Sequence, residues 1–125
     1  MAVKLKKIQR KNPQNTASVK WYLTQEKVGV VGMTEIAREI EERSALSFGD
    51  VQSALSNLVE ILPVFLKLGH TIKLERFGSF RVSVTSRGTA TADELSARHV
   101  KRLKLIFLPG KELKRSLEDV SFEIE

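Results

Sequence analysis

The apolar pattern of this chain changes period at Gly69, and that change dictates a helical stretch followed by a stranded one. Before it, Met33, Ile36, Ala37 and Ile40 recur at helical spacing, with Glu35, Glu39, Glu41 and Glu42 on the other side. Val51, Ala54, Leu55, Leu58, Leu62, Phe65 and Leu66 then form a longer stripe, with Ser47 as its N-cap and Gly69 as its terminator. The spacing predicts an αα-hairpin. Pro63 falls inside the second helix, where it deletes a backbone donor. It predicts a kink or break near Leu62, because a straight helix would lose about 3 kcal/mol there.

After Gly69 the period becomes 2. Ile72 and Leu74, then Phe80, Val82 and Val84, then Leu103, Leu105 and Phe107 predict three strands. Between the second and third, Thr91-Ala92-Asp93-Glu94 has capping-box spacing and predicts one or two helical turns running through residues 96–98. Pro109-Gly110 opens a final helix with Leu113 and Leu117 one turn apart. Upstream, Val3 and Leu5, then Val19, Trp21 and Leu23, alternate with lysines or polar residues about the turn-forming Lys11-Asn12-Pro13-Gln14-Asn15, which reads as a β-hairpin. Residues 28–32 look extended, and Gly32 lets the chain turn into the first helix.

The expected fold is therefore α+β. A basic N-terminal β-hairpin extension over residues 1–32 precedes a domain over 33–125, made of a helical hairpin, an antiparallel sheet and a C-terminal helix. With 125 residues there is room for one ordinary domain or a compact domain with an appendage. A monomer of this size buries only about two-thirds of its unfolded surface, so dimerisation would add much to its stability.

Composition narrows the function classes. With 42% hydrophobic and 29% charged residues and three prolines, the chain can build a core. Cysteine is absent, which removes disulfides, thiolate nucleophiles and cysteine-bound zinc and suits a reducing cytoplasm. No apolar run follows the lysine-alternating segment 1–7, so neither a signal peptide nor a membrane span is expected. The net charge of +6 points to phosphate polymers. Residues 1–32 carry Lys4, Lys6, Lys7, Arg10, Lys11, Lys20 and Lys27 against Glu26 alone, and residues 67–104 carry nine basic side chains against Glu75, Asp93 and Glu94.

The stretch over residues 69–82 holds Phe77-Gly78-Ser79-Phe80 after an apolar strand and before a basic one. Its glycine can turn tightly, which would leave the Gly78 and Ser79 N–H groups free for a phosphate. A second motif is Phe107-Leu108-Pro109-Gly110-Lys111-Glu112-Leu113-Lys114. Together the two, in this order of helices and strands, resemble the bacterial HU and integration host factor family over roughly residues 33–118, and among its members the longer variants with an N-terminal segment. The resemblance implies a dimer whose helical hairpins form a base and whose sheets form a concave saddle, with arms that enter the minor groove and bend the duplex. One departure stands out. The family's arm tip carries a proline wedge, whereas residues 85–100 here contain no proline, which removes the basis for sharp kinking by this arm. Arg10-Lys11-Asn12-Pro13 is chemically similar to that tip but lies elsewhere in the chain; a turn with solvated cations is its preferred reading.

The expected function is dimeric, non-enzymatic and largely sequence-independent binding of double-stranded DNA, with modest bending or compaction, in the cytoplasm on the nucleoid. No cofactor, metal, membrane or small-molecule substrate is expected. The DNA-binding candidates are Lys73, Arg76, Arg81, Arg87, Arg98, Lys101, Arg102, Lys104, Lys111 and Lys114, with Gly78 and Ser79 as backbone donors. Gly78, Ser79 and Lys111 stand inside matched motifs; the arm residues are chosen on charge. A protein that keeps the dimer but binds a protein partner through its N-terminal hairpin is the alternative. Single-strand or RNA binding would need aromatics exposed on the sheet, and the phenylalanines look buried. His70 and His99 lack a ligand pattern and read as surface residues. Glu35, Glu41 and Glu42 read as a solvated face. Trp21 and Tyr22 fall on opposite faces of one strand, so at least one is expected in a core or interface.

Overall fold

The computed structural model describes residues 2–125; Met1, at the head of the lysine-alternating segment, lies outside them. Its elements are β1 (Ala2–Asn12), β2 (Asn15–Gln25), α1 (Met33–Glu42), α2 (Phe48–Lys67), β3 (Ile72–Leu74), β4 (Gly78–Ser86), β5 (Val100–Pro109), α3 (Lys111–Ser116) and β6 (Ser121–Ile124). This is a mixed α+β fold with two three-stranded sheets, ordered β2-β1-β6 and β3-β4-β5. It divides into two compact units, one of residues 1–32 with 117–125, the other Met33–Ser116.

In the first unit β1 and β2 form the expected hairpin, turning at Pro13-Gln14, where Asn12 Oδ1 accepts the Gln14 N–H at 3.0 Å. Strand β6 was not foreseen. It pairs parallel with β1, Val3 opposite Phe122 and Leu5 opposite Ile124, so residues 117–125, which the sequence groups with the second domain, join the first unit instead. Trp21 and Tyr22 do lie on opposite faces, yet both are exposed, Trp21 by 66%. A single-layer sheet gives neither a covering layer within its own unit.

In the second unit α1 and α2 form the helical hairpin, with Ala37 and Val51 buried. Ser47 Oγ accepts the Asp50 N–H at 3.1 Å and caps α2. Glu41 is half-buried and bonded, not simply part of a solvated face. Its Oε2 accepts the Phe48 N–H at 3.0 Å, fastening the end of α1 to the start of α2, while the Arg38 guanidinium lies 4.5 Å from the Phe48 ring centroid. The break expected at Pro63 is absent. Helix α2 runs on to Lys67, because only the Val59 carbonyl loses its donor and Val59 is itself exposed. The helix then ends in a Schellman arrangement: Gly69 at φ 86 donates to Leu66 O, His70 donates to Phe65 O, and the Phe65 and His70 rings meet edge to face at 6.2 Å.

Two further differences concern the later turns. Residues 91–98 form no continuous helix but two separate 3₁₀ turns, Ala92–Glu94 and Ala97–His99. The cap is at Ser96 rather than Thr91: His99 Nδ1 accepts the Ser96 N–H at 3.0 Å, so the half-buried His99 is a capping partner and not a free surface residue. Helix α3 stops at Ser116, leaving Leu117 outside it and exposed.

Candidate nucleic-acid interface

The turn over residues 74–77, closed by a 2.8 Å bond from Phe77 N–H to Leu74 O, delivers the chain into β4, the central strand of its sheet. Register then sorts the side chains. In strand pairs, directly opposed residues share a face and neighbours along a strand alternate. Ile72 opposite Phe80, Val82 opposite Leu105, Val84 opposite Leu103 and Phe80 opposite Phe107 make one face apolar. Lys73 opposite Ser79, Arg81 opposite Ile106, Ser83 opposite Lys104 and Thr85 opposite Arg102 make the other face basic.

Lys73, Arg81, Arg102 and Lys104 are thus brought together, all exposed. Each sits across from a hydroxyl or an apolar side chain rather than from another cation, so the face collects positive charge without direct cross-strand repulsion. Ser83 and Thr85, which charge alone did not single out, share this face and can donate hydroxyl bonds to phosphate. The signal that finds them is the alternation of Phe80, Val82 and Val84.

The remaining candidates are exposed but lie off this face. Lys101 is the extra residue where the ladder slips between Thr85/Arg102 and Ser86/Val100. Arg87 follows β4 and donates its N–H to His99 O at 2.8 Å, and Arg98 belongs to the 3₁₀ turn beside it. Arg76 projects from the turn and lies 3.6 Å from Glu112, an exposed pair worth about 0–1 kcal/mol. Lys111 and Lys114 are on α3.

Gly78 and Ser79 lie inside the sheet rather than in a free turn. They open the central strand, each opposite a residue of β3 and one of β5, so their amides face neighbouring strands rather than a free turn. Gly78 is needed for packing. Its φ is 147, and a Cβ there would lie 2.5 Å from Leu108 O and 2.8 Å from the Phe107 ring. The two sequence motifs meet in space at this point, since Gly110 also donates its N–H to Phe77 O.

The phenylalanines are less buried than expected. Phe77, Phe80 and Phe107 cluster with ring centroids 4.8–6.3 Å apart, but Phe77 and Phe107 remain exposed because no second layer of this chain covers them. Phe80 and Phe107 lie on the face opposite the four cations, so a single strand stacked on them could not meet those cations. Among the described residues no three His, Cys, Asp or Glu cluster so as to hold a metal, and no helix is long and apolar enough to cross a membrane.

Integration host factor subunit beta of Shewanella amazonensis is 33% identical over 95 residues, covering 70% of this chain and 96% of that protein. The same subunit of Shewanella denitrificans matches equally, at 33% over 95 residues with the same coverage. The fold is also that of a crystal structure of a candidate bacterial DNA-binding protein from Bacteroides vulgatus, with a TM-score of 0.69 at 11% identity. That match takes in 98% of this chain and 48% of the other, so this chain spans about half the length of that protein. Residues 1–124 match the family described as an HU domain fused to a wHTH, Ig or glycine-rich motif. With relatives and family in accord, the chain belongs to the HU and integration host factor group, in its HU-HIG branch.

Proposed function

We propose that this protein binds double-stranded DNA through the basic face of β3-β4-β5, as a homodimer, without reading base sequence, and acts on the nucleoid as an architectural protein rather than an enzyme. The observation that carries the reading is the separation of Lys73, Arg81, Arg102 and Lys104 from the apolar residues of the same strands. Cations with serine and threonine hydroxyls make phosphate contacts, which position a protein on a duplex but carry no sequence information. Arg87, Arg98, Lys101, Lys111 and Lys114 extend the positive field around that face. Without a proline in residues 85–100, bending comes from wrapping along the cations rather than from a wedge.

Dimerisation is supported by surface area. The chain exposes 10,901 Å². A compact monomer of 14.1 kDa should expose about 6,700 Å², and even two separately compact bodies of the two units' sizes only about 8,000 Å². Much of the excess in the second unit is apolar: Leu103 and Leu105 are 64% and 62% exposed, beside a hollow of about 530 Å³ also lined by Pro63, Leu66 and Val82. A second copy supplies the missing layer.

The test is equilibrium binding to random-sequence duplex across a salt series. The logarithm of affinity should fall linearly with the logarithm of salt, by about 0.9 per phosphate neutralised, with a slope of about 3.6 for the four cations of one sheet and more for a dimer. Affinity that does not change with salt would overturn the reading.

A further inference from the structure

The first unit carries a second basic surface that the HU-like sheet does not use. In the β1-β2 register, Arg10 stands directly opposite Lys20, Ile8 opposite Tyr22 and Lys6 opposite Thr24. These residues share one face, whereas Leu5, Lys7, Lys11, Val19, Trp21 and Leu23 lie on the other. Toward the turn, on this side, is a concavity of about 500 Å³ whose lining includes Arg10, Asn12, Pro13, Ser18, Lys20 and Tyr22. The Arg10 guanidinium sits 5.8 Å from the Tyr22 ring centroid, which holds the cation over the concavity.

Two features point to an anionic occupant. No Asp or Glu occurs in residues 1–25; the acids of this unit are Glu26 after β2, Glu118 and Asp119 before β6, and Glu123 and Glu125 at the chain's far end, where Glu123 stands opposite Lys4 and not beside the turn. Furthermore, Arg10 and Lys20 form a cross-strand pair of like charge, an arrangement that destabilises an antiparallel ladder. A face that served only to complete the hairpin would gain by placing an acid or a hydroxyl opposite Arg10, as the second unit does opposite Arg102 and Lys104.

We infer that the basic face of the β1-β2 hairpin, centred on Arg10 and Lys20, is a second contact site for the phosphodiester backbone of double-stranded DNA. The inference rests on the DNA-binding reading above, and it adds to it a separate point of attachment on the other unit. A duplex offers a regular array of negative charge that relieves the Arg10-Lys20 repulsion on binding, and the concavity admits a phosphate flanked by both cations.

The experiment compares three full-length proteins on one random-sequence duplex over a salt series: the natural chain, Arg10→Gln with Lys20→Gln, and Arg81→Gln with Arg102→Gln. The hairpin variant should bind several-fold more weakly, and its salt slope should fall by about 1.8, the release from two phosphates. Its melting temperature should be equal or higher, because the like-charge pair is gone; weaker binding by a more stable protein excludes a merely structural role for these residues. Arg10→Lys with Lys20→Arg should restore the natural slope. If the hairpin variant keeps the natural affinity and slope while the sheet variant loses both, the hairpin proposal is overturned and the sheet reading stands. If only the hairpin variant loses slope, the hairpin proposal holds and the sheet reading is the one that fails.

Discussion

Gly110 donates its backbone N–H to the carbonyl oxygen of Phe77 at 3.0 Å, and a Cβ on the same glycine would lie 2.8 Å from the carbonyl oxygen of Arg76. The start of α3 is thereby seated on the turn that feeds β4. Gly110→Ala should cost about 1–3 kcal/mol through overpacking against backbone that cannot retreat. Gly78→Ala should cost more, since the Leu108 and Phe107 clash is joined by about 1–3 kcal/mol of strain from its positive φ. Urea midpoints in the order natural, Gly110→Ala, Gly78→Ala would agree; equal midpoints would refute the docking.

The bond from Phe48 N–H to Glu41 Oε2 satisfies one of the orphan donors at the start of α2. Glu41→Ala should lose about 1–2 kcal/mol, and Glu41→Gln, which keeps an acceptor, should lose less. Glu39→Ala, on the exposed side of the same helix, should stay within about 0.5 kcal/mol. Thermal melts of the three variants check the ranking.

Leu105 provides a test of the dimer. In a lone chain, Leu105→Asp replaces an exposed side chain and should alter stability little. Within a dry subunit interface it buries an unpaired carboxylate at a cost of several kcal/mol. Analytical ultracentrifugation should find the natural chain dimeric at micromolar concentration, with a melting temperature that rises with concentration, and Leu105→Asp monomeric. A natural chain that sediments as a monomer would end the proposal.

The ladder slip near Thr85 distinguishes two adjacent cations. Arg102 shares the face of Arg81 and Lys104, whereas Lys101 is the unpaired bulge residue. Arg102→Ala should therefore lower the salt slope of DNA binding by about 0.9, and Lys101→Ala should lower it less. Equal effects would mean that general charge, not the sheet face, governs binding.

Glu125 offers a pH test. Its carboxyl is held above the ordinary 4.5, first by a hydrogen bond with Glu26 and then by repulsion from that carboxylate, while Lys4 pulls the other way. Glu26 Oε2 is shielded and has no donor partner among the described residues, so the two carboxyls bond only when one holds a proton. A raised acid favours the folded state below about 4.5, and that contribution is lost as pH rises through the raised value. Glu26→Gln should accordingly protect the β6 amides more than the natural chain does at pH 7, with the difference closing below pH 4.5. Hydrogen exchange checks this, and a difference that does not vary with pH would contradict it.

Much of the second unit was legible because its elements follow local rules. The stripe from Val51 to Leu66, the Ser47 cap and the Gly69 terminator each act within a few residues, and alternation along β4 and β5 divides cations from apolar side chains once the register is known. Where the sequence misled, the deciding interaction was distant or concerned geometry rather than residue type. Pro63 is tolerated because the one carbonyl it orphans belongs to an exposed residue, Val59. Lys101 looked equivalent to Arg102 because a bulge leaves no mark in the charges. The tight fit at Gly78 is invisible locally because its neighbours, Phe107 and Leu108, come from a motif about 30 residues away. Strand β6 was missed for a similar reason, since Ser121-Phe122-Glu123-Ile124 is too short an alternation to announce a partner at Val3.

That parallel pairing sets an order of events. The β1-β2 hairpin closes through a two-residue turn and can form in about 1–10 μs, and Met33–Ser116 is one continuous stretch with its own core. Joining β6 to β1 closes a loop of about 120 residues, an entropic cost about 2 kcal/mol above that of a ten-residue loop if the intervening chain is slack. Once the second unit has formed, little slack remains. Completion of the first sheet therefore waits for the second unit, and a substitution that slows the helical hairpin will delay the β6 strand without touching it. On a translating ribosome the hairpin is exposed as a two-stranded ribbon for the whole of that interval, with its β6-facing edge open until β6 arrives.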